Sequence, residues 1–307
     1  MSITDGLSRR GALAVIGGSM VAAGGLRAAS GEDAIRHAIP STGETIPVIG
    51  LGTSRTFDVG DSEAELDRLV EVMQIFFDRN GTVIDSSPMY GTSEIVIGKL
   101  LERIGKPDDV FAATKVWIDG QAAGVAQMDE SMERMGVSVM DLMQVHNLRD
   151  WRSHLETLKA WKDEGKIRYI GITTSHGRDH DDFEQVMQSE PLDFVQFSYN
   201  VLDRQVEERL LPLAADRGMA TMINRPFQRG ELFQKAGGKA LPDWAAEIDC
   251  TTWAQVFLKF IVSHPAVTCV IPATAKAHHM EDNMSAGFGR LPDAALRAEI
   301  IATVEAL

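Results

Sequence analysis

Apolar residues fall into two alternating patterns along the chain. Short runs rich in β-branched and other apolar residues occupy 47–51, 82–85, 110–116, 142–145, 169–173, 194–197, 221–223 and 267–271. Between them lie stretches such as 63–77, 151–163, 206–217 and 253–262, where apolar residues recur at i, i+3, i+4 and i+7, the spacing of one helix face. Eight such strand runs in one chain without a Pro/Gly/Ser-rich linker predict a single α/β domain, a closed parallel (β/α)8 barrel of the TIM type with helices outside. An open doubly wound sheet is the competing architecture, but it would carry a GxGxxG turn behind its first strand. The nearest approach, Gly50-Leu51-Gly52-Thr53, lacks the third glycine and a helix directly behind it. The arms 37–40 and 45–48 around Ser41-Thr42-Gly43-Glu44 predict a hairpin ahead of the first barrel strand, and 291–307 patterns as an added C-terminal helix.

Residues 1–30 break this alternation. Ser8-Arg9-Arg10 precedes an apolar, Gly-rich run and then Arg27-Ala28-Ala29-Ser30, the order of a secretory signal. The run is too short and too rich in glycine to span a membrane, which takes about 20 continuous apolar residues. Paired arginines before a weakly hydrophobic run resemble a twin-arginine signal, which hands folded proteins to the twin-arginine export machinery. The chain is therefore expected to divide into a signal peptide over 1–30 and a barrel domain over 31–307, with a periplasmic destination. Lys plus Arg 30 against Asp plus Glu 44 gives a net charge of −14, which repels nucleic acid and anionic membrane surfaces. The two cysteines, Cys250 and Cys269, have no CxxC spacing, so no zinc knuckle or disulfide framework is implied.

In such barrels the functional groups come from the C-terminal ends of the strands. The second run ends at Asp85, within Val83-Ile84-Asp85-Ser86-Ser87-Pro88-Met89-Tyr90-Gly91; the third leads to Lys115 and the fourth to His146-Asn147. These three lie about 30 residues apart, one strand–helix unit, and so share one rim. Singly, each has a structural use as turn cap, snorkelling cation or satisfied core histidine. Together, on consecutive strand ends, they point to a site. A lysine near Tyr90 is expected to favour the phenolate and lower its pKa, with Asp85 pairing the ammonium, so that Tyr90 becomes a tuned proton donor.

Asp85 with Tyr90 five residues on, Lys115 in Ala113-Thr114-Lys115-Val116, and His146 in Gln144-Val145-His146-Asn147 resemble the Asp, Tyr, Lys and His tetrad of the aldo-keto reductases. The resemblance runs from the hairpin to the C-terminal helix. It implies a (β/α)8 barrel that binds NADPH, or NADH, in extended form without a Rossmann domain. It further implies reduction of a small-molecule carbonyl, aldehyde or ketone, by hydride transfer, with Tyr90 giving the proton and His146 orienting the carbonyl oxygen. Cofactor residues are implied on the later strands: Thr173 and Thr174 where the family usually has Ser-Asn, and Gln196 matching its carboxamide-binding Gln. The same resemblance adds Thr53 after the first strand and Asn224, Arg225 and Phe227 after the seventh. Physically, a hydroxyl and an amide at adjoining strand ends can give and accept the hydrogen bonds of a carboxamide.

Two departures from the family's pattern stand out. Asn224 occupies the place where many members put a Tyr that stacks on the nicotinamide. In the loop for the adenosine phosphate, Ala273 and His279 replace the usual cations, leaving Lys276, Thr274 and a partly protonated His279 for a 2′-phosphate, and Asp282 and Asn283 for the adenine. A non-catalytic nucleotide-binding barrel with a sensory or accessory role is the alternative, against which the full tetrad argues. A glycoside hydrolase would need two carboxylates roughly 5 to 9.5 Å apart, whereas Asp85 is the one acid among these rim residues. His176, Asp179, His180, Asp181 and Asp182 read as a loop entering a helix near Asp182 rather than as a metal cluster. Met128, Met132 and Met135 read as core packing at helical spacing.

Overall fold

The eight predicted runs form eight parallel strands in a single continuous order. A computed structural model describes residues 33–105 and 110–307 of the chain. The leader with Arg9 and Arg10 lies outside the described residues. An antiparallel hairpin of β1 (Arg36–Ala38) and β2 (Thr45–Pro47) comes first, as predicted. The barrel strands are β3 (Leu51–Gly52), β4 (Val83–Asp85), β5 (Phe111–Val116), β6 (Met140–Val145), β7 (Ile167–Thr173), β8 (Phe194–Ser198), β9 (Ala220–Asn224) and β10 (Cys269–Val270). Outside them lie α1 (Glu63–Asp78), α2 (Ser93–Ile104), α3 (Gln121–Met135), α4 (Trp151–Asp163), α5 (His180–Ser189), α6 (Leu210–Asp216), α7 (Glu231–Ala236), α8 (Trp253–Val262), α9 (Ala277–Ser285) and the added C-terminal α10 (Ala294–Ala306). Among the described residues no helix is long and apolar enough to cross a membrane.

Where structure and pattern differ, the cause is local. The first and last barrel strands are shorter than the apolar runs, because Pro47 belongs to the hairpin and the seam between β3 and β10 closes through single bridges, Ile49 with Val270 and Gly52 with Ala273. Gly52 makes that closure: a Cβ there would lie 2.6 Å from the Ile271 carbonyl oxygen. The amphipathic stretch 206–217 is helical only from Leu210, after a short 3-10 turn at Gln205–Glu207. Pro212 explains this, since it offers no N–H and its ring clashes with the carbonyl four residues earlier, so it is tolerated only in a first turn. The helix expected near Asp182 begins at His180.

Two apolar shells result from the strand period of two. Alternate residues face outward against the helices, in the larger shell that includes Ile84, Ala112, Met143, Ile170, Val195 and Ile223. The others fill the barrel interior, with Val83, Phe111, Leu142, Tyr169, Phe194 and Ala220 at its base and Ile39 and Ile46 of the hairpin sealing it from below. The rings of Phe111, Tyr169 and Phe194 lie 5.5 to 6.0 Å apart. The Tyr169 hydroxyl at this base donates to Glu44 at 2.5 Å and lies 2.9 Å from Thr42 Oγ1 in the hairpin turn.

Candidate active site

Followed upward two residues at a time, each inward-facing series changes from apolar to polar. Val83 leads to Asp85, Phe111 and Ala113 to Lys115, Leu142 to Gln144 and His146, Phe194 to Gln196 and Ser198, and Ala220 and Met222 to Asn224. The C-terminal mouth of the barrel is therefore lined with polar groups by the same period that makes its base apolar.

Asp85 and Lys115 sit at the bottom of this polar layer. Their side chains are 2% and 0% exposed, and Lys115 Nζ donates to Asp85 Oδ2 at 2.6 Å and to the Ser86 carbonyl at 2.6 Å. The second carboxylate oxygen is saturated by amides, accepting from Gln144 Nε2 and from Gln196 Nε2, each at 3.0 Å. Gly171 makes room for Gln144, whose Cγ would be 2.9 Å from a Cβ at that position. A buried ion pair survives desolvation only when its remaining hydrogen-bonding capacity is met, and the two glutamines meet it for Asp85. Burial works against the Lys115 charge, but the Asp85 carboxylate it pairs with outweighs it and raises its pKa.

Tyr90 comes to this pair from the loop between β4 and α2. The turn is made by Tyr90 N–H donating to the Ser87 carbonyl at 3.0 Å and Ser93 N–H donating to the Tyr90 carbonyl at 3.2 Å. Asp58 staples it from outside, accepting from the backbone N–H and the hydroxyl of Thr92 at 2.9 Å each. Gly91 lets the staple approach, with φ of +61° and a Cβ position 2.3 Å from Asp58 Oδ1. The Lys115 ammonium lies 5.3 Å from the Tyr90 ring centroid. One expectation is corrected here. Burial raises the phenol pKa, and the Lys115 charge, which acts downward as expected, does not reverse it. Tyr90 thus keeps its proton at neutral pH.

His146 packs edge-on against Tyr90, with centroids 5.9 Å apart at 90°, and Trp117 lies 6.4 Å away on another side. Burial, together with the charges of Lys115 and Arg178, lowers its pKa to about 3, so the ring is neutral. Its Nδ1 is 3.0 Å from Ser87 Oγ.

The residues expected to meet a cofactor divide into two groups. Thr53, Thr173, Thr174, Gln196 and Asn224 join the tetrad at the mouth. Thr53 Oγ1 donates to the Asp85 carbonyl at 3.0 Å; Thr173 Oγ1 accepts the Asn147 N–H at 3.1 Å; Thr174 Oγ1 donates to the Arg178 carbonyl at 2.7 Å. Asn224 donates to the Thr174 carbonyl at 3.0 Å and accepts from Ser198 at 2.7 Å, so the position carries a fixed amide in place of an aromatic face. Arg225 follows it on the loop and contacts His176, while Phe227 packs on Phe233 with centroids 4.8 Å apart. The second group lies past β10. Thr274 caps the turn by accepting the Lys276 N–H at 3.1 Å, and Lys276 is exposed at the N-cap of α9. Burial and the charges of His278 and Lys276 lower the His279 pKa, so the partial protonation expected of it is not favoured. Asp282 is turned toward α8 instead of the cleft, accepting from Thr252 at 2.8 Å and from Gln255 at 2.7 Å. Asn283 is buried.

Four further groups stand at the mouth. Arg55, Arg178 and Arg229 stand on loops after β3, β7 and β9, and with Arg225 they make no ion pair with a carboxylate among the described residues. Burial, with the charges of Arg229 and Arg55, lowers the Arg225 pKa. Asn147 Oδ1 is buried with no hydrogen-bond partner. Unpaired guanidiniums and an unmet acceptor are what an anionic, amide-bearing ligand would satisfy. Asn147 stands beside His146 at the end of its run, whereas no signal in a single sequence marks the three arginines.

A barrel with this tetrad at its mouth belongs to a defined class. Residues 48–298 match the model of the Aldo/keto reductase family, and the chain belongs to that family. It is 32% identical over 216 residues to the aldo-keto reductase YhdN of Bacillus subtilis (strain 168), an alignment covering 64% of this chain and 63% of that relative's length. It is 28% identical over 229 residues to the NADH-specific methylglyoxal reductase of Escherichia coli (strain K12), covering 62% of this chain and 67% of that protein. Its fold is shared with a crystal structure of an aldo-keto reductase from Klebsiella pneumoniae in complex with NADPH, at a TM-score of 0.72 and 23% identity over 89% of this chain and 95% of the other.

Proposed function

We infer that this chain is an NAD(P)H-dependent reductase of aldehydes or ketones in which Tyr90 supplies the proton. The observation that carries this reading is the placement of Tyr90 between a buried Lys115–Asp85 pair and the His146 ring. When bound, the dihydronicotinamide supplies the hydride. Tyr90 gives its proton to the carbonyl oxygen as charge develops there, and the ammonium of Lys115 stabilises the phenolate left behind. Asp85, held by Gln144 and Gln196, keeps Lys115 in place. His146 donates a hydrogen bond to the same oxygen and so fixes the carbonyl in line with Tyr90. The unpaired arginines at the mouth fit the cofactor's phosphates, and the free Asn147 oxygen and the Thr173–Thr174 strand end fit its carboxamide. Lys276 and Thr274 favour NADPH over NADH by holding a 2′-phosphate. The NADH-specific relative supports the cofactor class without deciding that preference.

The test is to add aldehydes, ketones and quinones to the purified protein with NADPH or NADH and follow cofactor absorbance. Loss of absorbance on adding a carbonyl is expected. A protein that binds either cofactor and reduces nothing would favour the non-catalytic barrel. The Arg9-Arg10 leader supports export of the folded enzyme to the periplasm. Replacing both arginines by lysine should strand active enzyme in the cytoplasm, and wild-type levels of that variant in the periplasm would sink the export reading.

A further inference from the structure

His146 is gripped at its inner nitrogen by a residue outside the tetrad. Ser87 lies in the turn between β4 and Tyr90 and is fully buried. Its Oγ is 3.0 Å from His146 Nδ1, and the same oxygen accepts the Met89 backbone N–H at 3.3 Å. A hydroxyl has one proton to give and lone pairs to receive. With Met89 on the oxygen, the proton has Nδ1 as its one hydrogen-bonded acceptor among the described residues. If Nδ1 carried the proton instead, it would donate to Oγ and leave the buried Ser87 proton without an acceptor, an arrangement folded proteins avoid. The imidazole is neutral and so carries a single proton, which must then sit on Nε2. The ring plane is set separately, by the edge-on contact with Tyr90 and by Trp117, while the hydrogen bond to Ser87 sets which edge faces inward.

We propose that Ser87 is a positioning residue that locks His146 in the Nε2–H tautomer, so that the histidine faces the substrate oxygen with a donor. The opposite tautomer would set an imidazole lone pair against the lone pairs of the carbonyl oxygen and push the substrate out of line with Tyr90. The consequence for turnover rests on the reductase reading; the tautomer itself does not.

The deciding experiment labels the histidines of the full chain with 15N and reads the His146 ring by two-bond proton–nitrogen correlation, with His146→Asn identifying its signals. The wild type should show a protonated Nε2 and an unprotonated Nδ1. Ser87→Ala should move the two nitrogen shifts toward each other as the tautomers mix, and should lower kcat about tenfold with cofactor Kd unchanged, in line with the modest net value of one hydrogen bond. Ser87→Thr, which keeps the hydroxyl, should return the wild-type shifts. A wild-type spectrum with the proton on Nδ1 would overturn the proposal, as would a Ser87→Ala spectrum and turnover that match the wild type. Because the spectrum is read without nucleotide or substrate, a chain with the Nε2–H tautomer that reduces no carbonyl would sink the reductase reading and leave the tautomer assignment standing.

Discussion

The base and the mouth of the barrel are built by the same strands and differ in almost every physical respect. At the base, Phe111, Tyr169 and Phe194 pack together over a hairpin plug, and the Tyr169 hydroxyl is met by Glu44. Two residues higher on the same inward faces begin a buried ion pair, two committed glutamines and a neutral histidine. The backbone largely follows the same division, with Asn80 below β4 the exception. Arg55, Asn147, Leu148, His176, Arg225, Gln228 and Arg229, all in the loops and 3-10 turns that follow strands at the mouth, adopt positive φ without being glycine. Each such residue costs on the order of 1 kcal/mol, and burying the Asp85–Lys115 pair adds a desolvation penalty. Stability is thus gathered below and spent above, and height along a strand separates scaffold from chemistry.

The sharpest way to break that division is to cut into the base. Phe194→Ala should cost about 3–5 kcal/mol, the usual loss for a buried phenylalanine, while kcat of the folded protein stays within about twofold. Denaturant unfolding measured beside turnover checks this, and a collapse of kcat at unchanged stability would erase the distinction. Lys115→Met probes the boundary layer. It leaves the Asp85 carboxylate buried with amide donors only, so about 3 kcal/mol of stability and most of the activity should go together. Loss of activity with wild-type stability would mean that the pair contributes nothing structural. At the outer edge of the mouth, Lys276→Ala should leave stability unchanged and weaken NADPH about tenfold, roughly 1.4 kcal/mol, with NADH unaffected. Equal weakening of both in a fluorescence titration would remove Lys276 from the phosphate role.

Much of this was legible in the apolar pattern because a barrel strand has only two faces. The six middle runs, the hairpin and the C-terminal helix appear where the pattern places them, and Asp85, Lys115 and His146 stand out as polar residues at the C-terminal ends of their runs. Legibility failed where tertiary packing decides. The helix beginning at Leu210 depends on Pro212, and the shortened β3 and β10 depend on how the seam closes. Glu94, at the start of α2, is buried between Thr114 and Ser131, where burial raises its pKa, and nothing in the pattern points to that. The same limit applies within the site. Proximity of Lys115 to Tyr90 was readable, whereas the competition between its charge and burial requires the folded environment. Asp282 has the character of a cleft residue in sequence and is committed to the first turn of α8 in the fold.

The central claim is that Tyr90, held by Lys115 and Asp85, is the proton donor at the mouth. Tyr90→Phe removes the hydroxyl and keeps the ring against His146, so fold and cofactor binding should be preserved while turnover changes. Single-turnover reduction of an aldehyde should slow by about two orders of magnitude or more, the loss expected for a general acid, with cofactor Kd within about twofold of wild type. A Phe variant that reduces the aldehyde at a near-normal rate would contradict the account.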